Sequence, residues 1–343
     1  MSINTNNKNI TPEIQDILFT HENMKLHDGP NGSFEIGDRL GSKYVHNSSL
    51  EKLYSRAMCK VHSHKYLNYL QLRCEQIGKQ KWGCTSCSFV NDKSRPMCEM
   101  CFSHKPIKQW EYLGMVDGDT TYVNQHSMKS IDAAVTCACD LSTGIVTGKI
   151  PYGFALVRPP GHHASKDTGR GFCLVNNTAI AAEAALESGA SRVFIFDWDL
   201  HHGDGIQDHF YDRSDVFYCS MHADGIYPHT GKIDETGNGD GKGFTLNVPL
   251  PKGIDNATYL KKFQDIVLPA IQQFNPDIIL IAAGFDGLAT DPINIFKLTP
   301  AVYSDIIHDI QTITSKIGLI LEGGYDTGGI QTCVDICIDS LRN

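Results

Sequence analysis

From residue 112 onward, short apolar runs rich in β-branched residues alternate with stretches of helical composition. Two such stretches, Val175–Glu187 and Ala257–Phe274, separate apolar runs from one another. The runs that predict strands are Phe154–Val157, Val193–Phe196, Val216–Cys219, Ile278–Ala282 and Ile317–Leu321. Strands that alternate with helices form βαβ units, in which a parallel sheet carries helices on both faces. The pattern therefore predicts a three-layer α/β fold.

Polar side chains follow directly after four of these strands. The segments that carry them are Arg158–His163, Asp197–Gly205, Gly284–Asp286 and Glu322–Tyr325. Ligands of open parallel sheets bind just beyond the carboxyl ends of the strands. We therefore expect histidine, aspartate and tyrosine side chains from four strands to meet at one edge of the sheet.

Three of these side chains have a spacing that suits a metal ion. Asp199 and His201 lie two residues apart after one strand, and Asp286 follows another. Alternation along an extended chain places residues two apart on the same side. An Asp-x-His pair alone is usually a surface turn, but the convergence of four polar segments favours a metal site. Three N/O ligands with an open fourth position indicate catalytic zinc, which polarises carbonyls and acidifies water.

Tandem histidines and a tyrosine complete the predicted site. His162 and His163 need carboxylates to fix their tautomers, and Asp197 and Asp204 are the available partners. Tyr325 follows two glycines, which let the backbone turn closely at the metal. Its hydroxyl can donate a hydrogen bond to a developing oxyanion.

Composition narrows the remaining classes of function. The net charge of −9 argues against a general nucleic-acid binder held by phosphate contacts. No apolar run is long enough to span a membrane, and the polar N-terminus lacks the apolar core of a secretory signal. We therefore expect an intracellular protein of the nucleus, the cytoplasm or both, without a membrane partner.

The 12 cysteines should be free thiols or metal ligands in an intracellular protein. Residues 1–16 should form a disordered N-terminal segment.

The segments at the sheet edge strongly resemble those of the histone deacetylase superfamily, which has the arginase-like α/β fold. The resemblance is weak over residues 17–78 and strong over 112–340. The matching segments are Arg158–Ala164, Gly171–Asn177, Asp197–Gly205, Ala283–Asp286 and Glu322–Tyr325. The first is similar to the class II branch, whereas Asp204 resembles class I because class II usually has Asn or Gln there. The resemblance implies a zinc-dependent enzyme that removes acetyl groups from N6-acetyl-lysine in proteins, histones or others.

Carried over by position, the resemblance also implies a role for each catalytic side chain. His163 would be the general base and then the general acid, oriented by Asp204. His162 would be an electrostatic partner, oriented by Asp197. Tyr325 would polarise the acetyl carbonyl and bind the oxyanion. The implied ligands of the catalytic zinc are Asp199, His201 and Asp286.

Substrate and potassium residues follow from the same resemblance. Asp119 would be the rim carboxylate that grips the substrate backbone. The implied wall of the acyl-lysine tunnel comprises Gly171, Phe172, Tyr227 and Gly324. A structural K⁺ would be bound through Asp197, Asp199, His201, Ser220 and Met221, and a weaker cation by carbonyls around Phe210, Arg213 and Val216. The N-terminal substrate-loop motif is degraded to Phe34–Leu40, so the preferred acyl chain stays open.

Residues 79–110 differ in kind, being rich in lysine and cysteine and poor in aliphatic residues. Two Cys-x2-Cys pairs separated by ten residues are typical of a closed structural zinc site, which folds a segment with almost no core. With Trp82 and Asn91, this pattern resembles the Ran-binding-protein zinc-finger family. We expect a zinc-ribbon-like finger inserted into a catalytic domain of residues 17–78 and 111–343. Its zinc ligands would be Cys84, Cys87, Cys98 and Cys101.

Members of this finger family bind ubiquitin or single-stranded RNA. The ubiquitin-binding class has Thr-Phe after the second cysteine and a hydrophobic residue inside the last knuckle, where this chain has Ser88, Phe89 and Met100. The alternative is that Phe89 and Met100 only pack the finger. A local excess of basic residues keeps RNA as the weaker partner.

Two other functions stay open. One is a deacetylase of small acetylated amines, since the superfamily includes polyamine enzymes. The polyamine-selective type has Glu after Asp-Pro, whereas Ile293 follows Asp291 and Pro292 here, which disfavours polyamines. The other is a non-catalytic ubiquitin- or RNA-binding module with a relic enzyme fold. The intact set of metal ligands and Tyr325 argue against it.

Overall fold

The computed structural model describes residues 17–27, 55–79, 82–83, 86–88, 90–91, 100–101, 110–113, 115 and 118–343. Seven parallel strands in this part of the chain form one sheet, as the alternating pattern predicts. The strands are β1 (Leu18–Phe19), β6 (Gly153–Ala155), β7 (Val193–Asp197), β8 (Val216–Ala223), β9 (Thr245–Leu250), β10 (Ile278–Ala283) and β11 (Ile317–Leu321). Their order across the sheet is β1-β6-β11-β10-β7-β8-β9.

The centre of the sheet is buried on both faces. Every residue of β7, β10 and β11 is buried, which explains why these strands are continuous apolar runs without polar alternation. The register pairs Ala282 of β10 with Asp197 of β7, and Ala283 with Leu321 of β11. The carboxyl ends of these strands therefore lie side by side, at the edge where the site was predicted.

Helices cover both faces of the sheet. They are α1 (Ser55–Val61), α2 (His64–Lys79), α3 (Ser127–Val146), α4 (Asn177–Glu187), α5 (Asp204–Phe210), α6 (Asn256–Lys262), α7 (Leu268–Phe274), α8 (Ala301–Gln311) and α9 (Thr327–Arg342). Asn176 caps α4 by accepting the Ala179 N–H, and Asp326 caps α9 by accepting the Gly328 N–H. Among the described residues, no helix is long and apolar enough to cross a membrane.

Sequence periodicity missed several local features. Strand β1 has two residues, too few to show any period, and β9 contains Pro249 at the edge of the sheet. The helix predicted over Ala257–Phe274 contains a π turn at Phe263–Val267, just before Pro269. Proline lacks an N–H and disturbs the preceding turn, so a continuous α-helix does not form there.

The segment predicted to be a finger is described only in part. Strand β2 (Trp82–Gly83) pairs antiparallel with β3 (Val90–Asn91). Cys87 and Cys101 are exposed, as are Ser88 and Met100. Cys84, Cys98, Phe89, residues 1–16 and the degraded loop motif at 34–40 lie outside the described residues. The finger and its zinc ion therefore stay predictions.

A hairpin leads from this segment back to the catalytic domain. Strand β4 (Trp110–Tyr112) pairs antiparallel with β5 (Tyr122–Asn124). The Leu113 N–H donates to the Thr121 carbonyl at 2.7 Å, which extends the pairing. The loop between the two strands carries Asp119, the predicted rim carboxylate.

Candidate active site

A cavity of about 230 Å³ lies at the carboxyl ends of β6, β7, β10 and β11. It contains seven of the side chains or glycines that the sequence assigned to catalysis and substrate binding. Loops after the strands supply most of its wall, and the loop after β4 supplies one side. The lining residues are Gly118, Asp119, Thr120, Pro160, His162, His163, Gly171, Phe172, His201, Tyr227, Ile293, Gly323 and Tyr325.

The three predicted zinc ligands lie together beside this cavity, which His201 lines. Asp199, His201 and Asp286 each offer one ligand atom, and these atoms all lie within 4.8 Å of one another. His201 Nδ1 is 2.9 Å from Asp286 Oδ2 and 3.2 Å from Asp199 Oδ1. Burial opposes protonation of His201, but the two carboxylates overcome it and raise its pKa to about 10. The cluster therefore attracts positive charge strongly, as a cation site must.

Backbone N–H groups hold the two carboxylates of this cluster. The Gly323 N–H donates to Asp199 Oδ2 at 2.7 Å, and the Leu200 N–H donates to Asp286 Oδ1 at 2.9 Å. A Cβ atom at Gly284 or Gly323 would overlap the Asp199 carboxylate. The carboxylates thus fill a cradle that only glycine permits, and their remaining oxygens converge on His201. One imidazole nitrogen and two carboxylate oxygens form a donor set that fits Zn²⁺.

The tandem histidines have separate carboxylate partners. His162 Nδ1 lies 3.2 Å from Asp197 Oδ2, and His163 Nδ1 lies 2.8 Å from Asp204 Oδ1. All four residues are buried. The pairing is the one that the spacing and the resemblance predicted. His163 is held through Nδ1, which leaves its Nε2 for chemistry, whereas His162 Nε2 lies 3.8 Å from Asp199 Oδ1.

The surroundings of His162 and His163 shift the pKa values of the two imidazoles in opposite directions. Burial would lower the pKa of His162, but the nearby carboxylates of Asp199 and Asp197 raise it well above its ordinary value. Burial lowers the pKa of His163 well below its ordinary value, and the positive charges of His162 and His201 lower it further. The surroundings therefore favour the protonated form of His162 and the neutral form of His163.

A buried carboxylate holds the backbone of the histidine segment. Glu322 Oε2 accepts the N–H groups of Gly161 at 2.6 Å and His162 at 3.0 Å, and Oε1 accepts the Thr178 hydroxyl at 2.8 Å. Burial raises the pKa of Glu322 to about 7. Glu322 belongs to a sequence motif that by itself gives it no role. Its contacts show that it joins the ends of β6 and β11.

Tyr325 lies at the cavity wall after a strained turn. Gly324 has φ +111°, a conformation that favours glycine. Asp291 Oδ2 accepts the Tyr325 N–H at 2.7 Å, and its Oδ1 accepts the Ile293 N–H at 3.0 Å. Asp291 is buried, and it links two parts of the cavity wall. Sequence reasoning missed it because a single aspartate in a loop gives no signal before the fold is known.

The opposite wall is a left-handed turn. Gly171 and Phe172 have φ values of +56° and +67°. Asp119 Oδ2 accepts the Gly171 N–H at 2.8 Å, and Tyr227 Oη lies 3.4 Å from the same oxygen. The Tyr227 ring meets the His163 ring edge-on, with centroids 5.0 Å apart. Of the predicted tunnel residues, Gly171, Phe172 and Tyr227 therefore line the cavity beside His163, and so does Asp119.

Of the predicted potassium residues, Asp199 and His201 are also predicted zinc ligands, and the other three lie on β7 and β8. Ser220 pairs with Asp197 in the sheet register, and Met221 follows it in β8. Ser220 Oγ lies 2.9 Å from His222 Nδ1. The proposed second cation residues occupy the end of α5 and the start of β8. This arrangement leaves the potassium sites as predictions.

The sequence of this chain matches a family model and several curated proteins. A family model described as the histone deacetylase domain matches residues 35–341. Histone deacetylase 15 of Arabidopsis thaliana is 42% identical over 226 residues, which are 64% of this chain and 41% of that protein. Chloroplastic histone deacetylase 14 of the same plant is 43% identical over 198 residues, which are 56% of this chain and 46% of that protein.

A solved structure extends the likeness to three dimensions. The crystal structure of the HDA15 HD domain matches with a TM-score of 0.79 at 30% sequence identity. The match covers 95% of this chain and 88% of that one. This chain spans less than half the length of the two curated relatives. The match of the family model over most of the sequence shows that the chain belongs to the histone deacetylase domain family.

Proposed function

We propose that this protein is a zinc-dependent hydrolase that removes acetyl groups from N6-acetyl-lysine in proteins, with release of acetate. One observation carries the proposal: a zinc-compatible ligand set, of which His201 lines the cavity, lies beside a carboxylate-held histidine, His163, that lines the same cavity. The named relatives are histone deacetylases, which supports the same substrate class. Histones or other acetylated proteins would be the partners.

Asp199, His201 and Asp286 would hold the catalytic zinc ion. Zinc bound there supplies Lewis acidity, which polarises a carbonyl and lowers the pKa of water. The buried carboxylates and the absence of space beside Gly284 and Gly323 support a rigid site. Such rigidity matters because catalytic groups must be held close to their working geometry.

His163 would move the protons of the reaction. As a neutral imidazole held at Nδ1 by Asp204, it can take a proton from water at Nε2. It would then give that proton to the leaving amine, so that water and the amide become acetate and free lysine. His162, as a cation, and the Tyr325 hydroxyl would stabilise the oxyanion. His162 would thus act as a cation and His163 as a neutral base, which are the forms that their surroundings favour.

The shape of the cavity supports acetyl-lysine as substrate. Phe172 and Tyr227 offer aromatic walls for a straight aliphatic chain, and Asp119 lies at the rim, where it can accept backbone N–H groups. Ile293 lines the cavity at the position where a polyamine enzyme would carry Glu. An apolar side chain there gives no carboxylate for a second ammonium group, so we favour lysine over polyamines.

We also propose that residues 79–110 form a zinc finger within the catalytic domain of residues 17–78 and 111–343. Cys84, Cys87, Cys98 and Cys101 would bind its zinc ion. Exposure of Met100, 65% accessible, supports ubiquitin as its partner, with Ser88 and Phe89 as further contacts. Single-stranded RNA is the second candidate partner of the finger.

Bound K⁺ would stabilise the catalytic domain. We propose an intracellular location, and one relative is named as chloroplastic.

The proposed reaction is tested by comparing two substrates. Purified zinc-loaded protein is given an acetylated histone-tail peptide and, separately, acetylspermidine, each with and without a hydroxamate. We expect hydroxamate-sensitive turnover of the peptide and a lower kcat/KM for acetylspermidine. Preference for acetylspermidine would move the function to small-molecule metabolism. Absence of turnover on both substrates would favour a binding module.

The finger proposal has a separate test. Unlabelled full-length protein is titrated into isotope-labelled ubiquitin, and the Met100→Ala variant serves as the comparison. We expect localised shifts that weaken with the variant. Absence of shifts at millimolar protein would remove ubiquitin as a partner, and binding of single-stranded RNA in a parallel titration would replace it.

A further inference from the structure

Arg170 contacts both members of the His163–Asp204 pair, although the proposed reaction gives it no role. Its Nη2 lies 2.9 Å from Asp204 Oδ2, and its Nε donates to the His163 carbonyl at 3.0 Å. Asp204 Oδ1 in turn lies 2.8 Å from His163 Nδ1. The three residues therefore close a ring of polar contacts around the predicted base.

These polar contacts hold the Asp204 carboxylate in one orientation. Each of its oxygens has its own partner, and the planar guanidinium fork presents donors in fixed directions. Asp204 is only 3% exposed, so its negative charge needs a compensating group. Burial raises the pKa of Asp204, and the charge of Arg170 opposes that rise. Arg170 thus favours the ionised carboxylate that His163 requires.

Arg170 Nη2 has two further partners, and it donates to one of them, Ser165 Oγ, at 2.7 Å. Its Nη2 also lies 3.3 Å from Asp208 Oδ2, but the Asp208 side chain is 59% exposed. Solvent screens such a surface pair, which contributes little to stability. Asp204 has a side-chain exposure of 5%, so its ion pair with Arg170 is the stronger one. Asp208 therefore provides a matched control: it touches the same guanidinium without touching His163.

We propose, on the basis of the deacetylase function above, that Arg170 is a positioning residue for the general base. It acts through Asp204, whose carboxylate it fixes, and so holds the His163 ring with Nε2 available to the cavity. The proposal also accounts for a departure noted in the sequence. Asp204 carries a charge where class II members usually have a neutral amide, and Arg170 is the group that compensates it.

The first test is a double-mutant cycle on the acetyl-lysine peptide. Arg170→Met should lower kcat by about tenfold or more with KM changed less than about twofold, because the loss affects the reacting groups. Arg170→Lys keeps the positive charge but not the planar fork, so its kcat should fall between those of Arg170→Met and wild type. Asp208→Asn should keep kcat within about twofold of wild type. In the Asp204→Asn background, Arg170→Met should change kcat by no more than about threefold, because its target is already altered.

Two results would overturn the proposal. One is wild-type kcat in Arg170→Met, and the other is an unchanged, multiplicative effect of Arg170→Met in the Asp204→Asn background. A purely structural role would give that multiplicative effect together with a lowered Tm.

A spectroscopic measurement decides the question without turnover. In protein labelled with ¹⁵N-histidine, the His163 ring signals are those that His163→Ala removes. We expect Arg170→Met to shift them and Asp208→Asn to leave them in place. Unshifted signals in Arg170→Met would contradict the positioning role, even if the wild-type protein failed to hydrolyse any acetylated substrate and the proposed function itself were wrong.

Discussion

The Thr121 hydroxyl oxygen accepts the backbone N–H of Phe172 at 2.8 Å. Phe172 has φ +67°, a left-handed conformation that is unfavourable for a side chain of this size. Thr121 lies at the end of the loop between β4 and β5, so this bond ties that loop to the cavity wall, together with the bond from the Gly171 N–H to Asp119. The wall of the cavity thus depends on a hairpin that begins where the predicted finger ends.

Removing that bond should weaken substrate binding. Thr121→Val keeps the shape of the side chain but cannot accept the Phe172 N–H, whereas Thr121→Ser keeps the acceptor. One hydrogen bond contributes about 1 kcal/mol, so we expect KM for the peptide to rise about fivefold in the valine variant, with kcat nearly unchanged. Steady-state kinetics of both variants measure this. Equal KM values for the two variants would show that the bond has no role in binding.

A methyl group added at Gly171 should impair catalysis by His163, the predicted base. Its φ of +56° disfavours any side chain, and a Cβ atom would press against the His163 ring. We expect Gly171→Ala to lower kcat/KM by at least about tenfold. Gly148→Ala is the control, because Gly148 has φ +73° but no atom within 4 Å of the added Cβ. A similar loss of activity in both variants would assign the effect to backbone strain alone.

The zinc content of variants should distinguish the catalytic zinc site from the zinc site of the finger. Wild-type protein should carry about two zinc ions per chain, one for each site. Asp286→Ala should lose one ion and all activity while the fold persists, because the catalytic site depends on this carboxylate. Cys87→Ser should also lose one ion but retain peptide turnover. Elemental analysis after dialysis measures both, and retention of the full metal content in Asp286→Ala would contradict the ligand assignment.

Acid should destabilise the fold through a buried histidine that is not one of the predicted metal ligands. His62 Nε2 accepts the Asn176 N–H at 2.9 Å, and burial lowers the pKa of His62 from 6.5 to about 4. Because the unfolded chain binds this proton more readily, the stability that His62 contributes above pH 6.5 is lost as the pH falls toward 4. Unfolding by urea at several pH values measures the loss.

His62→Gln isolates this contribution. Glutamine can still accept the Asn176 N–H but takes up no proton in this range, so the variant should lose less stability between neutral and acidic pH than wild type does. Its stability at neutral pH can be lower without affecting the test. His202 and His222, whose pKa values burial lowers to about 4, remain in both proteins. Parallel pH dependences of the two proteins would exclude His62 as a source of acid sensitivity.

Much of the fold was predictable because the buried strands have a distinctive composition. Strands β7, β10 and β11 are continuous apolar runs, and polar motifs follow them at the edge where parallel strands end together. The edge strands were harder to predict: β1 has two residues and therefore no period, and β9 is interrupted by Pro249. The π turn before Pro269 depends on local hydrogen bonding that periodicity does not encode.

Within the site, sequence spacing predicted the residues that carry chemistry but missed those that hold them. Asp199 and His201 stand two residues apart in a motif, so their association was visible. Arg170 meets Asp204 across 34 positions, and Asp291 meets Tyr325 in the same way, through folding alone. Such contacts join loops from different strands, and no local pattern records them.

Isotope transfer tests the central claim most directly. The zinc-loaded protein and His163→Ala are incubated with an acetyl-lysine peptide in ¹⁸O-water, and both products are analysed by mass spectrometry. If His163 activates water for attack on the amide, wild type should release acetate containing one ¹⁸O atom together with an equal amount of free lysine peptide. His163→Ala should be slower by at least about a hundredfold. Full turnover by His163→Ala, or loss of the acetyl group without ¹⁸O in the acetate, would contradict the account.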